Sequence, residues 1–503
     1  MFKNEVAEFI YKRTYSRWME DEGRREEWPE TIERFIDFLI LKNGEKIPEK
    51  TVKKIRQYML DFAVMPSMRF LWSAGPAAEK DNTVIYNCSF AKLNCVEAFA
   101  ECLHVLMCGT GFGFSVEEDE VSKLPSIPEI KSGKDIARVT IDDSREGWAD
   151  SVKTLMTSLY EGQNIYFDYS QLRPEGARLS TMGGRSSGPQ PLIKLHDFIR
   201  ETMHNAQGRK LSSLECHDIA NQIAEIVVAG GVRRSSQISL SDLNDEDMRH
   251  AKDWPFPIRR AMANNSAIYR EKPTAADFLV EWGVLAKSGS GERGIFNLES
   301  AQNQAPTRRY SSKIQGTNPC GEIMLRDMEF CNLSEVVVRE EDDLDSLLDK
   351  VETATWLGVL QSTFTNFPYL RKQWKKNCDV ERLLGVSLTG QMDNPLLMNS
   401  EALKALKSRV LRISRKASTA LGVNMPVSTT CVKPSGTVSQ LVDSASGCHP
   451  RYSQYYIRRY RIAATDPLLA MLKDQGVPCV PENGQTEEDA TTWVLEFPVK
   501  SPE

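Results

Sequence analysis

Three side chains that could act together on a small molecule lie within NPCGEI, residues 318 to 323. Asn318, Cys320 and Glu322 are two residues apart, so in an extended or looped backbone their side chains point to the same side. A nearby carboxylate raises the pKa of a thiol, whereas a nucleophilic thiolate needs a cation or a helix N-terminus. The spacing therefore favours a neutral thiol suited to hydrogen-atom chemistry. The alternative is an ordinary Asn-Pro-Cys-Gly turn.

Two other segments have the composition of ligand-binding loops. KPSGT at 433 to 437 offers backbone N–H groups, two hydroxyls and the start of a helix, which together can hold an anion. A plain turn is the more frequent use of such a segment. GTGFGF at 109 to 114 is not a dinucleotide fingerprint, because its glycines follow a helical pattern. Its alternative is a helix C-cap and turn.

The cysteines are scattered singly along the chain. There are 11 of them, without a C-x-x-C pair and without a Cys/His cluster at zinc spacing. This pattern disfavours a secreted disulfide scaffold and a structural zinc site, so we expect no protein-bound metal. Most cysteines are expected to be buried free thiols in a reducing compartment.

Composition gives the broad class of protein. The 503 residues are 41% hydrophobic and 26% charged, enough to bury a large core. The net charge of -6 gives no electrostatic footprint for nucleic acid or an anionic membrane. The N-terminus lacks an apolar signal region, and no window approaches the roughly 18 apolar residues that span a bilayer. We expect a cytoplasmic protein that binds neither nucleic acid nor membranes.

The pattern of predicted elements indicates an α/β fold with ligands at the loops that follow strands. Helices are predicted over 4–40, with a new start at EEWPET, over 98–107, and after the acidic run 340–343. No linker divides the chain, so we expect a helical N-terminal region, 1–64, and one main catalytic domain, 65–503. The strand candidates are Ile295 to Leu298, Leu383 to Leu388 and Cys431 to Val432.

Motifs along nearly the whole chain occur in the order found in a known enzyme family. They are YKRTYSRW, PSMRFLWSAG, YNCSF, GTGFGFSV, DSREGW, SSGPQPLI, VVAGGVRRSSQISL, GTNPCGEI, FCNLSEV and VKPSGTVSQL. The chain thereby resembles the ribonucleotide reductases, in particular the monomeric, adenosylcobalamin-dependent class II enzymes that act on ribonucleoside triphosphates. The resemblance implies a ten-stranded α/β barrel of two five-stranded parallel halves, with the cysteine loop threaded through its centre.

The resemblance also implies a role for each matching catalytic residue. Cys320 would become the thiyl radical that removes the 3′-hydrogen of the ribose. Glu322 would take the proton of the 3′-hydroxyl, and Asn318 would hydrogen-bond the sugar hydroxyls. Cys88 and Cys331 would be the dithiol that delivers protons and electrons to the 2′-position and ends as a disulfide. That pairing requires Cα atoms within about 7 Å of each other.

The remaining implications concern ligands. Arg233 and Arg234 resemble the loop that passes effector identity to the substrate base, although they could be solvated surface charges. The implied cofactor is adenosylcobalamin. The implied partners are ribonucleoside tri- or diphosphates, a dNTP effector and a thioredoxin-like reductant. The implied nucleotide contacts are Ser67, Asn87, Gly111, Pro434, Ser435, Gly436 and Thr437.

The chain also departs from the family pattern. No ATP-cone-like domain precedes the barrel, and the segment between VSKLPSIP and DSREGW is much shorter than the insertion by which monomeric class II enzymes mimic a dimer's effector site. The last barrel strand and cysteine tail are not found. We therefore expect either a complementary C-terminal polypeptide or a reduced form regenerated directly by an external reductant.

Two other functions stay open from the sequence. One is a reductase α chain whose radical comes from a separate metal-containing subunit. The other is a nucleotide-binding barrel without turnover, although the joint presence of Cys88, Asn318, Cys320, Glu322 and Cys331 speaks against it.

Overall fold

Helices alternate with short strands along the chain, as the sequence pattern predicts. The structure is a computed structural model that describes residues 2–131, 137–177, 186–229, 236–464, 466–483 and 485–501. The helices are α1 (Glu5–Thr14), α2 (Trp28–Asn43), α3 (Glu49–Leu60), α4 (Met68–Ser73), α5 (Pro76–Lys80), α6 (Val96–Met107), α7 (Glu118–Val121), α8 (Arg145–Tyr160), α9 (Gln190–Asn205), α10 (Ser213–Ala229), α11 (Glu246–Arg249), α12 (Ala275–Ser288), α13 (Leu298–Asn303), α14 (Leu344–Gln361), α15 (Lys372–Glu381), α16 (Ser400–Leu421), α17 (Thr437–Leu441) and α18 (Pro467–Asp474).

Most strands are short, and those that carry the site are buried. The strands are β1 (Trp18–Met19), β2 (Arg24–Arg25), β3 (Val64–Met65), β4 (Cys88–Lys92), β5 (Gly111–Ser115), β6 (Arg138–Thr140), β7 (Tyr166–Asp168), β8 (Gln237–Asp242), β9 (Ala263–Tyr269), β10 (Gly294–Asn297), β11 (Gly316–Thr317), β12 (Met324–Leu325), β13 (Glu329–Phe330), β14 (Leu333–Val337), β15 (Gly385–Thr389), β16 (Tyr455–Ala463), β17 (Cys479–Pro481) and β18 (Thr492–Lys500).

The largest sheet contains five parallel strands. Its order is β10-β9-β8-β5-β4, and β13 adds an antiparallel edge beside β4. Every residue of β4 and β5 is buried, as in sheets covered on both faces. Five parallel strands is the size that the resemblance implies for one half of the barrel.

A second, smaller sheet lies beside the cysteine loop. β14 pairs with β15 in parallel and with β3 in antiparallel orientation, and Thr430 adds one bridge to Val386. Among the described residues the strands fall into separate sheets and do not close into one barrel. The α/β class is confirmed, whereas the count of ten strands stays a prediction.

Three local expectations can be compared with the structure. The helices predicted over 4–40, with a new start at EEWPET, are α1 and α2: Glu27 and Glu30 form a capping box that starts α2, and only the β1–β2 hairpin between the two helices was not predicted. GTGFGF turns at Gly109 and then runs on as strand β5, so it is more than a helix cap. The strand predicted at Cys431–Val432 is reduced to the single bridge at Thr430.

The ends of the described chain pack together. β16, β18 and β17 form an antiparallel sheet, and the Phe9 ring on α1 lies 5.7 Å from Tyr460 and 5.5 Å from Phe497. The N-terminal helices share one hydrophobic cluster with the strands of the main domain. No helix in the described part of the chain has the length and apolarity needed to cross a bilayer.

Candidate active site

Three cysteines far apart in the sequence meet at one place. Cys88 begins β4, Cys331 follows β13, and the Cys331 N–H donates to the Cys88 carbonyl at 3.0 Å. The Cys88 thiol is in hydrogen-bonding contact with the thiols of both Cys320 and Cys331. Cys88 and Cys331 are buried, whereas Cys320 is exposed. The structure thus brings together the three sulfur atoms named by the resemblance.

The surroundings keep the Cys88 thiol neutral. Its hydrogen bond with Cys320 lowers the pKa, but contact with Cys331 and burial outweigh that effect and hold the pKa well above its ordinary value. The Glu322 carboxylate raises it further. A neutral thiol can give up a hydrogen atom or proton, whereas the neutral state expected for Cys320 from the spacing stays a prediction.

Small residues allow the cysteine loop to approach the sheet. A Cβ atom on Gly111 would lie 3.2 Å from the Cys88 sulfur and 3.2 Å from the Pro319 ring. A Cβ atom on Gly113 would lie 2.4 Å from the carbonyl oxygen of Thr317. The alternate glycines of β5 therefore let the loop lie directly on the strand.

Gly113→Ala should displace the cysteine loop and reduce activity by about a hundredfold, since a shift of about 1 Å at reacting groups can cost that much. Steady-state kinetics of the variant measure the loss. Gly283→Ala is the control, because a Cβ atom there meets nothing within 4 Å and its backbone is not strained. Equal activity of the two variants would contradict the assigned contact.

Asn318 and Glu322 are joined at the base of the loop. The Asn318 Nδ2 atom donates to Glu322 Oε2 at 2.7 Å, and the Asn318 Oδ1 atom accepts from the Ile323 N–H at 2.9 Å. Burial raises the pKa of Glu322, although the bond from Asn318 and the charge of Lys433 oppose the shift. The carboxyl group is therefore a stronger base than an exposed glutamate, as a proton acceptor requires.

The segment that contains Pro434, Ser435, Gly436 and Thr437 lies close to this pair. Lys433 forms a buried ion pair with Glu335 of β14 at 2.6 Å, which ties the segment to the sheet next to Cys331. The Ser435 hydroxyl is buried without a hydrogen-bond partner among the described residues, and helix α17 starts at Thr437.

Ser67 and Asn87 form a separate contact beside Cys88. The Ser67 hydroxyl donates to the Asn87 Oδ1 atom at 3.2 Å and to the Ile85 carbonyl at 2.8 Å. Gln361 accepts from the Ser67 N–H at 2.9 Å and donates to Asn332, next to Cys331. Of the other expected site residues, Arg233 and Arg234 lie outside the described residues.

Some residues of the site were not predicted from the sequence. Gln361 lies at the end of α14, outside the motifs, and Glu335 lies within FCNLSEV but was given no role. Cys431 lies close enough to Glu322 for the carboxylate to raise its pKa, after the larger effect of burial. Cys431 lies two residues before Lys433 in the chain, and this position was the feature of the sequence that could have placed it in the site.

A cavity opens on the other side of Glu322. Its volume is about 450 Å³, within the range of small-molecule sites. Glu322, Ile323 and Met324 form one wall, so the cavity begins two residues from Cys320. The lining also includes Phe296, Ala301, Ala305 and Pro306.

Known proteins resemble the chain in sequence and in fold. It is 29% identical to the adenosylcobalamin-dependent ribonucleoside-triphosphate reductase of Levilactobacillus brevis, over 99% of this chain and 79% of that protein. The match to the enzyme of the same name from Lactobacillus gasseri is also 29%, over 99% and 80%. A crystal structure of a B-12 dependent (class II) ribonucleotide reductase superposes with a TM-score of 0.82 and 26% identity, over 98% of this chain and 81% of that one.

The chain therefore resembles the ribonucleotide reductases in sequence over nearly its whole length and in fold. A family model for the ribonucleotide reductase alpha domain also matches residues 1–76. A class Id ribonucleotide reductase alpha subunit from Actinobacillus ureae superposes less well, with a TM-score of 0.57 and 13% identity over 94% of this chain and 79% of that one, and shares the fold alone. Of these two structures, the chain is more similar to the class II enzyme.

One departure noted in the sequence lies in a region that a family model matches. The model for the insertion domain of B12-dependent ribonucleotide reductases matches residues 118–203. This range includes both VSKLPSIP and DSREGW, between which the chain was expected to be shorter than the class II insertion. The chain is thus similar to the B12-dependent enzymes in this region, and the shortness of the segment stays a prediction.

Proposed function

We propose that this protein reduces ribonucleoside triphosphates to 2′-deoxyribonucleoside triphosphates by a thiyl-radical mechanism with adenosylcobalamin. The observation that carries the proposal is the contact of the Cys88 thiol with Cys320 on one side and Cys331 on the other. The relatives named as adenosylcobalamin-dependent ribonucleoside-triphosphate reductases support the substrate and the cofactor.

The assigned roles follow from the position of each group. The Cys320 thiyl radical takes the 3′-hydrogen of the ribose and returns a hydrogen atom at the end. Glu322 accepts the proton of the 3′-hydroxyl group, and Asn318 holds the sugar hydroxyls and the carboxylate together. The 2′-hydroxyl group leaves as water. Overall, one ribonucleotide and two thiols give one deoxyribonucleotide, one disulfide and one water molecule.

The two electrons come from Cys88 and Cys331 in this scheme. Their sulfur atoms are in contact, and the main-chain hydrogen bond from Cys331 to Cys88 holds the two residues side by side. A disulfide can form there because the residues are already adjacent. We propose a thioredoxin-like dithiol as the external reductant.

The residues around Cys320 fit adenosylcobalamin. This cofactor carries its own cobalt, so what the protein must provide is space beside an accessible thiol. Cys320 is exposed, and the cavity next to Glu322 has a mainly apolar wall from Phe296, Ala301 and Ala305 that would hold the adenosyl group. When bound, the cofactor supplies a radical that can take the hydrogen atom of a thiol.

The triphosphate is assigned to the segment from Pro434 to Thr437. Ser435 offers an unpartnered hydroxyl group, and Lys433 places a positive charge beside Glu322 and Glu335. Ser67, Asn87 and Gly111 would contact the nucleotide from the Cys88 side. Segments of this kind bind anions well through their backbone N–H groups.

The larger architecture is part of the proposal. We assign residues 1–64 to a helical N-terminal region and 65–503 to a ten-stranded catalytic barrel. The five parallel strands β4, β5, β8, β9 and β10 support one half, and β3, β14 and β15 would belong to the other. A dNTP effector is assigned to the insertion region.

The direct test mixes the purified protein with adenosylcobalamin, a dithiol and a ribonucleoside triphosphate. We expect a deoxyribonucleotide product by chromatography and a cob(II)alamin signal by electron paramagnetic resonance. If product forms only after an iron or manganese subunit is added, the radical comes from that subunit and the cobalamin assignment is wrong. Nucleotide binding without product under both conditions would support the alternative of a nucleotide-binding barrel without turnover.

A further inference from the structure

A buried group of polar side chains lies outside the reaction site, where helix α6 ends. The His104 Nε2 atom lies 2.8 Å from Asp81 Oδ2 and 3.6 Å from Cys108 Sγ. Arg145 donates from Nη1 to the same sulfur at 3.1 Å. Asp81, His104 and Cys108 are fully buried. This group was not predicted from the sequence, although His104 and Cys108 are four residues apart on a helix and therefore lie on the same face.

The geometry favours a hydrogen-bonded ion network over a metal centre. The oxygen, nitrogen and sulfur atoms lie within 4.8 Å of one another, which would suit an ion. However, His104 and Asp81 are in direct hydrogen-bond contact at 2.8 Å, whereas tetrahedral zinc with bonds of about 2.0 Å holds such atoms about 3.3 Å apart. The Arg145 guanidinium also brings a positive charge to the sulfur, where it would repel a cation.

The protonation of His104 agrees with such a network. Burial lowers its pKa, but the Cys108 sulfur and the Asp81 carboxylate outweigh burial and raise the pKa to about 10. The charged imidazole stacks on the Tyr369 ring, with centroids 4.5 Å apart. Two cations, His104 and Arg145, therefore face the carboxylate and the sulfur.

This group forms the base of the turn that leads to the reacting thiol. Cys108 caps α6, and the Thr110 hydroxyl donates to the carbonyl groups of Thr83 and Tyr86, each at 2.9 Å. Gly111 follows at once and lies against the Cys88 sulfur. A shift of Cys108 is therefore transmitted over three residues to the position of Cys88.

Two contacts attach the same group to helix α8, within the segment matched by the insertion-domain model. Arg145 is the first residue of α8 and donates to Cys108. Tyr369, which stacks on His104, donates from its hydroxyl to the α8 residue Asp150 at 2.9 Å. Helix α8 thus contacts the end of α6 directly through Arg145 and indirectly through Tyr369.

We propose that Arg145 and Cys108 are positioning residues, through which the insertion segment sets the placement of Cys88 in the active site. The inference rests on the proposed function for the role of Cys88. The contact itself can be examined without turnover.

The test compares Cys108→Ala and Arg145→Met with the wild type. Alkylation of Cys88 by iodoacetamide, followed by mass spectrometry, should become about tenfold faster because the turn at Gly111 is no longer held. The kcat should fall about tenfold with little change in KM, since misplacement affects the reacting thiol more than nucleotide binding. Arg145→Lys should show a smaller increase in the alkylation rate and a smaller loss of kcat than Arg145→Met, because lysine keeps the positive charge.

Cys216→Ala is the matched control. Cys216 is equally buried, on α10, and its side chain makes no hydrogen bond to a described residue. Its alkylation profile and kcat should equal those of the wild type. The inference is overturned if Cys108→Ala behaves like Cys216→Ala, or if the wild type holds stoichiometric zinc that Cys108→Ala loses. A wild type without reductase activity would refute the proposed function, while the alkylation rates would still decide the positioning contact.

Discussion

Cys320→Ala should abolish deoxyribonucleotide formation, leaving less than about 1% of wild-type turnover, while nucleotide affinity changes by less than about twofold. The reason is that this thiol acts on the ribose as a radical and contributes little to binding. Product formation is measured by chromatography, and affinity by titration with a ribonucleoside triphosphate.

Cys448→Ala is the matched control for that variant. Cys448 is also exposed, but it lies outside the group of three contacting thiols. Its replacement should leave turnover unchanged. Residual activity of several per cent in Cys320→Ala would refute the assignment of Cys320 as the radical site.

Glu322→Gln should lower kcat by about 10²- to 10⁴-fold, the usual contribution of a positioned general base. The amide has nearly the same shape as the carboxyl group but cannot accept the 3′-hydroxyl proton. Because burial raises the pKa of Glu322, the wild type should lose activity on acidification at a higher pH than an ordinary glutamate would cause. The pH profile of kcat/KM measures this limb, and Glu322→Gln should lack it.

Glu117→Gln tests whether any buried carboxyl group would give the same result. Burial also raises the pKa of Glu117, which pairs with Arg270 away from the cysteine loop. This variant should lose some thermal stability and keep the acid limb of the wild type. If the acid limb of the pH profile of kcat/KM persists in Glu322→Gln, a group other than Glu322 accepts the proton.

The chemistry of the cysteine loop could be predicted from the sequence more fully than the contacts that surround the loop. Asn318, Cys320 and Glu322 are neighbours in the chain, so their convergence follows from local geometry. Cys88 and Cys331 are far apart, and their contact depends on the pairing of β4 with β13, which no local pattern encodes. Only the resemblance to known reductases named that pair.

Long-range packing also explains what sequence reasoning missed. Gly113 reads as part of a turn in GTGFGF, yet it belongs to strand β5 because it pairs with Phe90 of β4 and Ile238 of β8. Glu335 reads as a polar residue in an apolar run, yet it is fully buried and forms an ion pair with Lys433 of the KPSGT segment. In both cases the partner is distant in the chain, and the meaning of the residue depends on that partner.

The arrangement of exposed and buried sulfur atoms imposes an order of events on the site. Cys320 lies at the surface, and Cys88 and Cys331 lie behind it. A nucleotide seated on Cys320 therefore blocks the approach to the two inner sulfur atoms from that side. A reductant that approaches from the Cys320 side can therefore reach the two inner sulfur atoms only after the product has left.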